Sequence, residues 1–208
     1  MTFGAIKSRI ADELVRPDLA SQISLAVLDA IKEAATNSFW FNEVRGLNFA
    51  MVPGQAFYGS TDFAAIPQIS RIDALWIVVA GQRRNLELRN ALDIEDWNDG
   101  AQSLIGEPFA FARQANGLAF WMPPAQAYPV YIDGTTRFAD PVADTDTNPY
   151  LEEGERYVRA IAKATVLEDV IRDFDEADRQ WTKVQREKMI LLSETGGRLA
   201  TRTNAASW

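Results

Sequence analysis

The chain has no cysteine and no histidine. Without cysteine there are no disulfides, no thiol nucleophile and no thiolate ligand. Without histidine the usual general base, the Ser-His-Asp triad and most zinc sites disappear together. No lysine- or arginine-rich block occurs: 21 Lys+Arg stand against 29 Asp+Glu, a net charge of −8. A protein that reads nucleic-acid sequence normally presents a basic face, so that role is not expected. An acidic surface that lets DNA slide past remains compatible with the charge. No apolar run approaches the roughly 20 residues that span a bilayer. Residues 1–14 carry charges throughout and have no continuous apolar core, unlike a signal peptide. GxxxxGK[ST] and GxSxG are absent, as are internal repeats and low-complexity segments. The expectation is a soluble protein made in a cytoplasm, with no membrane partner, no cofactor and no metal.

What is present is a core. Hydrophobic residues make up 47% of 208, enough for one large domain or two small ones. The most organised stretch is 150–193, which reads as one long amphipathic helix. From Leu167, apolar residues fall at Val170, Phe174, Ala177, Trp181, Val184 and Leu191, interrupted by Lys188. Steps of three and four keep them on one face. So long a helix is not stable alone, and its downstream half, with Met189 to Leu192, extends beyond what this chain is expected to cover. Asn148 is suited to cap it and Pro149 to be its first residue.

At the other end, Thr2 can cap a helix over 3–15, and a second helix over 19–37 carries the small-residue stripe Ile23, Ala26, Val27, Ala30, Ile31 and Ala34. Between 39 and 138 the period changes to two. Strands are expected at 39–44, 48–52, 57–58, 69–79, 85–89, 109–113, 118–122 and 128–137, the last bent at Gly134. Asn116-Gly117 is a hairpin turn, and 91–101 reads as a short acidic helix. The fold class that follows is α+β: a helical bundle of two N-terminal helices plus the long C-terminal one, with an inserted antiparallel β-rich domain. The expected domains are 1–38 with 149–195 for the bundle, 39–148 for the insert, and 196–208 as a flexible tail beginning at Gly196-Gly197.

Candidates for chemistry are few. Asp144-x-Asp146-x-Asn148 with Glu155 has the spacing of a calcium loop, but Pro149 occupies the position where such loops need glycine. Capping of the following helix accounts for these residues without a cation. Asp173, Asp175, Glu176 and Asp178 cluster on one helical stretch. Glycoside hydrolysis needs two carboxyls facing across a cleft, whereas these read as a solvated or inter-subunit face. Phe39, Trp40 and Phe41 can stack bases, but only Arg45 lies near them, so they read as core.

Taken in order, several pieces resemble a known family. Phe39-Trp40-Phe41-Asn42-Glu43 follows two helices, and Pro53-Gly54-Gln55 leads to Tyr58. Next come Ile69-Ser70-Arg71-Ile72-Asp73, Gly106-Glu107-Pro108 and Leu118-Ala119-Phe120-Trp121-Met122-Pro123-Pro124. Asn148-Pro149-Tyr150-Leu151 opens the C-terminal helix. The chain resembles the head-to-tail adaptor (connector, head-completion) proteins of tailed bacteriophages, above all the short-tailed, podovirus-like type. Gly59-Ser60 departs from the Leu-Pro expected after Tyr58. The resemblance implies a structural virion protein without catalysis, assembled in the host cytoplasm. Copies would form a dodecameric ring at the head-tail interface, joined to the portal protein above and to tail nozzle, tube or fibre proteins below. DNA would pass non-specifically through the lumen during genome ejection. Phe174, Trp181, Val184 and Leu191 on the helix, and Arg198, Leu199, Arg202 and Trp208 in the tail, are the expected portal or inter-subunit contacts. Two other classes stand beside this one: a carboxylate-dependent cell-wall hydrolase and a cytoplasmic helical protein-binding module.

Overall fold

The structure is a computed structural model. It describes residues 1–100 and 104–205, apart from the side chains of 100 and 199–205. In chain order the elements are α1 (Phe3–Leu14), α2 (Ala20–Ala34), β1 (Glu43–Ala50), β2 (Phe57–Gly59), β3 (Ile69–Val79), β4 (Gln82–Asn85), β5 (Glu87–Leu88), α3 (Ala91–Gly100), β6 (Ala110–Gln114), β7 (Gly117–Trp121), β8 (Pro129–Thr136), α4 (Pro149–Glu152), α5 (Glu155–Thr165) and α6 (Phe174–Ala205). The fold is α+β, with N-terminal helices, C-terminal helices and two antiparallel-rich sheets. Two compact units divide the chain: residues 1–42 with 138–208, and residues 43–137.

In the helical unit, α1 begins where Thr2 Oγ1 accepts from the Ala5 amide at 3.3 Å. Phe3, Ile6 and Ile10 on α1, the alanine-rich face of α2, and Tyr157, Val158 and Ile161 on α5 share one core. The small side chains of α2 let α5 pack closely against it. Arg159, largely buried, ion-pairs with Glu155 Oε1 at 3.0 Å and donates to Glu13, tying α5 to the end of α1.

The single helix expected over 149–193 is in fact three. Gly154 separates α4 from α5, and a Cβ there would come 3.0 Å from the Tyr150 carbonyl oxygen. After α5 the coil widens into a π-helical turn at Val166–Ile171, and Arg172 adopts the left-handed conformation, φ 62°. The Asp173 amide donates to the Leu167 carbonyl at 3.0 Å, closing the first helix. Asp173 Oδ1 then accepts from the Glu176 amide at 3.1 Å and starts the next. Helix α6 packs back along α5. The apolar spacing runs across this break because both halves need an apolar face, whatever the direction of the chain between them.

Gly196-Gly197 was expected to end the helix, and the backbone instead stays helical to Ala205. Each helical glycine costs about 1 kcal/mol relative to alanine, and local contacts offset that. Thr195 Oγ1 donates to the Leu191 carbonyl at 2.7 Å and accepts from the Trp40 amide at 3.1 Å. One turn later the Arg198 guanidinium lies 3.6 Å from the Trp40 ring centroid.

The β-rich unit holds two four-stranded sheets, in the orders β1-β8-β3-β4 and β2-β7-β6-β5. All pairings are antiparallel except β5 with β6. Leu75, Ile77, Val130 and Ile132 from the first sheet, and Tyr58, Phe111, Leu118 and Phe120 from the second, form one core between them. Helix α3 covers Ala110, Ala112 and Ala119 with Ile94. At Gly134, where β3 bulges between Ile72 and Ala74, a Cβ would lie 2.1 Å from the Arg71 carbonyl oxygen, so only glycine fits. The strand expected at 39–44 begins only at Glu43. Asn42 Oδ1 accepts from the Phe39 amide at 2.7 Å and Asn42 Nδ2 donates to the Asn37 carbonyl at 2.9 Å, folding 39–42 into a turn.

Candidate interaction surfaces

The expected contact residues on α6 separate by their position on the helix. Val184 and Leu191 are 1% and 7% exposed and lie in the helical unit's own core beside Tyr157 and Ile161. Within one chain they are therefore buried rather than surface. Trp181 is half-buried against the same core, and its Nε1 donates to Glu168 Oε2 at 2.8 Å. Phe174, at the start of α6, is 61% exposed and remains open. Arg198 is exposed and stacks on Trp40. The side chains of Leu199 and Arg202, and Trp208 altogether, fall outside the described residues. Of the downstream cluster that the sequence places beyond this chain's own cover, Met189, at 66%, and Ile190 and Leu192 are exposed. The signal lay in the four consecutive apolar residues Met189-Ile190-Leu191-Leu192, which no single helix face can bury.

The acidic candidates have local structural partners. The Asp146 carboxylate accepts from the amides of Ala143 at 2.7 Å and Val142 at 2.9 Å, and these two bonds hold its pKa below the usual carboxylate range. Asp144 pairs with Lys7, and its carbonyl accepts from the Gly4 amide at 2.9 Å. Asn148 Oδ1 accepts from the Leu151 amide at 3.1 Å and caps α4. The loop is thus strapped to the first turn of α1. On α6, Asp173 is a helix cap, and Glu176 is held below its ordinary pKa mainly by donation from Gln180, at 2.9 Å. Asp173-x-x-Glu176 has the spacing of a capping box, the signal that marks the start of a second helix. Carboxylates in a helix's first turn are favoured by its dipole.

The first and last segments of the family resemblance meet within the helical unit. Asn42 Nδ2, from the first, donates to the Tyr150 hydroxyl, from the last, at 3.1 Å. Phe41 packs edge-on against Tyr150, with ring centroids 5.5 Å apart. In the β-rich unit the Tyr58 hydroxyl accepts from the Val52 amide at 2.8 Å and donates to its carbonyl at 3.1 Å, closing the Pro53-Gly54 turn. Arg113 donates to the carbonyls of Ile69 and Ser70. These pieces are architectural, each fastening a turn or a strand. A family model described as SU10 adaptor protein matches residues 1–205. The chain belongs to the SU10 adaptor protein family. It is a structural adaptor protein of bacteriophage type, in line with the expected head-to-tail adaptor class. No curated protein matches its sequence. Among the adaptor's described residues, no helix is long and apolar enough to cross a membrane.

Proposed function

We propose that this adaptor assembles as a ring that joins the portal to the tail of the virion and lets DNA pass through its lumen, in a short-tailed phage. Phe174, Met189, Ile190 and Leu192 supply apolar contacts to the portal or to neighbouring copies, together with Arg198, Leu199, Arg202 and Trp208. The observation that carries the reading is family membership combined with an outward apolar face on α6. Val184 and Leu191 act indirectly, by holding α6 in place. The net charge of −8 opposes self-association in free solution and adhesion of DNA. The portal therefore templates the ring, and the isolated protein is a monomer or small oligomer.

The test is electron microscopy of the protein mixed with its cognate portal, alongside light scattering of the protein alone. Rings seen only with the portal support the proposal. A stable closed ring of the pure protein would refute templating, and no association with portals would refute the joint. The hydrolase alternative needs a carboxyl held above its usual range to act as acid. Glu176 is held below it, so that observation does not favour catalysis.

A further inference from the structure

In the β-rich unit a cleft of about 300 Å³ opens where the β6–β7 turn meets the start of β3. Ile66, Ile69, Ile72 and Leu118 line it together with the polar Arg113 and Ser60, so all six border one continuous space. Strand β6 delivers Arg113 there. Phe111 lies in the core between the sheets, and side chains two apart on a strand share a face. Arg113 is the next residue on that face, opposite Leu118 of β7 in register. Its guanidinium reaches from the second sheet to the first. Nη1 donates to the Ser70 carbonyl at 2.6 Å, and Nη2 donates to the Ile69 carbonyl. Ser70 is itself held, its hydroxyl donating to the Thr135 carbonyl at 2.9 Å.

These carbonyls fix the guanidinium without answering its charge. The Nε–H and one N–H on each terminal nitrogen are left over. Other arginines of this unit have carboxylate partners: Arg45 pairs with Glu43, Arg71 with Asp73, Arg84 with Glu107 and Arg89 with Glu87. Among the described residues Arg113 joins no ion pair, and no other charged side chain lines the cleft. Arg113 and Ser60 are both exposed, so the cleft is open to a partner at its polar groups. A long side chain already held in place loses less entropy when it binds. A fixed guanidinium fork also matches the two oxygens of a carboxylate.

We infer that this cleft receives an aspartate or glutamate side chain, with an apolar residue beside it, from a segment of another protein. The carboxylate takes the remaining guanidinium donors, and the Ser60 hydroxyl is a further donor for it. The apolar neighbour covers the isoleucine and leucine walls. A phosphate would leave those walls uncovered, so a carboxylate on an apolar segment is the better match. A second copy of this chain would bring its net charge of −8 with it, which opposes that source. Arg113 therefore has two tasks, tying the sheets together and presenting a charge at their end. The inference stands on this unit's surface and does not depend on ring assembly.

The test is a nuclear magnetic resonance titration of the isotope-labelled full-length protein with acetyl-Leu-Glu-amide. It follows the Arg113 Nε–Hε signal and the backbone amides of 114–118. Saturable shifts confined to these signals are expected. Acetyl-Leu-Gln-amide keeps the shape without the charge and is expected to bind about tenfold more weakly, the loss of one charge-assisted hydrogen bond. Arg113→Met should weaken the glutamate peptide by the same factor, and Arg113→Lys, which keeps the charge but not the fork, by less. No saturable shift, or equal affinity for the glutamine peptide, overturns the inference. That comparison uses the wild type alone, so it decides even where Arg113→Met unfolds early through loss of the bonds between the sheets. Equally tight binding of isovalerate assigns the cleft to a small free acid, and of inorganic phosphate to a phosphate, and either overturns the protein segment. Self-association of the wild type that Arg113→Met abolishes assigns the cleft to a second copy and overturns the foreign partner.

Discussion

Leu191→Ala separates the two ways in which the apolar face of α6 can be used. Leu191 is 7% exposed and packs in the same core as Tyr157 and Val184. Truncating a buried leucine to alanine removes transfer free energy and leaves a cavity, together costing about 2–5 kcal/mol. With one side of the pocket formed by the outermost helix, partial collapse is possible, and about 3 kcal/mol is the working value. For a chain of this size each kcal/mol lowers Tm by roughly 2–4 °C, so the expected fall is about 6–12 °C. Phe174→Ala, at a side chain 61% exposed, should stay within about 0.5 kcal/mol. The assay is thermal melting of the helical circular dichroism signal, repeated in urea to confirm that the midpoint moves while the slope does not. Attachment to portal-bearing heads should respond in the opposite order, weakened by Phe174→Ala when read below both melting points. If Leu191→Ala melts within about 2 °C of the wild type, α6 does not fold back on α5 and its stripe is an interface after all.

Val15 closes α1 in the left-handed conformation, φ 54°, with its side chain exposed. Left-handed backbone costs an L-residue about 1–2 kcal/mol, part of which glycine returns as chain entropy, so Val15→Gly should raise Tm slightly. On the acid side, donation from Gln55 and the Gly59 amide lowers the Asp62 pKa, the Ala143 and Val142 amides lower that of Asp146, and Gln180 lowers that of Glu176. Their stabilisation is complete above the ordinary carboxylate range and is lost as pH falls through the depressed values. With no histidine in the chain, the urea midpoint should be flat between about pH 6 and 8, and Asp146→Asn should blunt the loss in acid. On the alkaline side, burial, aided by Glu33, pushes the Tyr157 phenol up to about 12. Its stabilisation is full below the unfolded value near 10 and disappears as pH rises through about 12, which ultraviolet titration of wild type against Tyr157→Phe will read. Calorimetric titration with calcium should show no saturable binding at Asp144, Asp146 and Asn148, since each of these residues already has a structural task. Truncation after Arg198 should leave the melt nearly unchanged while weakening attachment to portal-bearing heads, and an early melt would place the lost segment in the core.

The elements easiest to read were those whose signals are local. Thr2, Asn148 and Pro149 each mark a helix start by their own chemistry, and all do so here. Alternation gave β3, and Asn116-Gly117 gave the β6–β7 hairpin. Failures came where two adjacent elements share a period. A stripe from Leu167 to Leu191 is the same string whether the helix is straight or folded, because the three-and-four spacing carries no direction. The turn is made at Arg172, a residue with no turn chemistry of its own, held in left-handed backbone by the packing of α6 on α5. Its only local trace is Asp173-x-x-Glu176, hidden within an acidic cluster that reads equally well as solvated surface.

Interaction residues were harder for the same reason. An apolar residue at helical spacing states that something covers it and leaves open what does. Val184 and Leu191 have the spacing of Phe174, yet they lie in the core where α6 packs on α5 while Phe174 stays open. What distinguishes the groups is excess over a single face: Met189, Ile190 and Leu192 crowd around buried Leu191, and four apolar residues in a row exceed what one neighbour can bury. On α3, likewise, Ile94 packs on the sheet while Leu92 stays exposed. In an adaptor the informative residues are therefore those left over once the fold's own packing has been satisfied. They are visible only after the fold shows which faces are already taken.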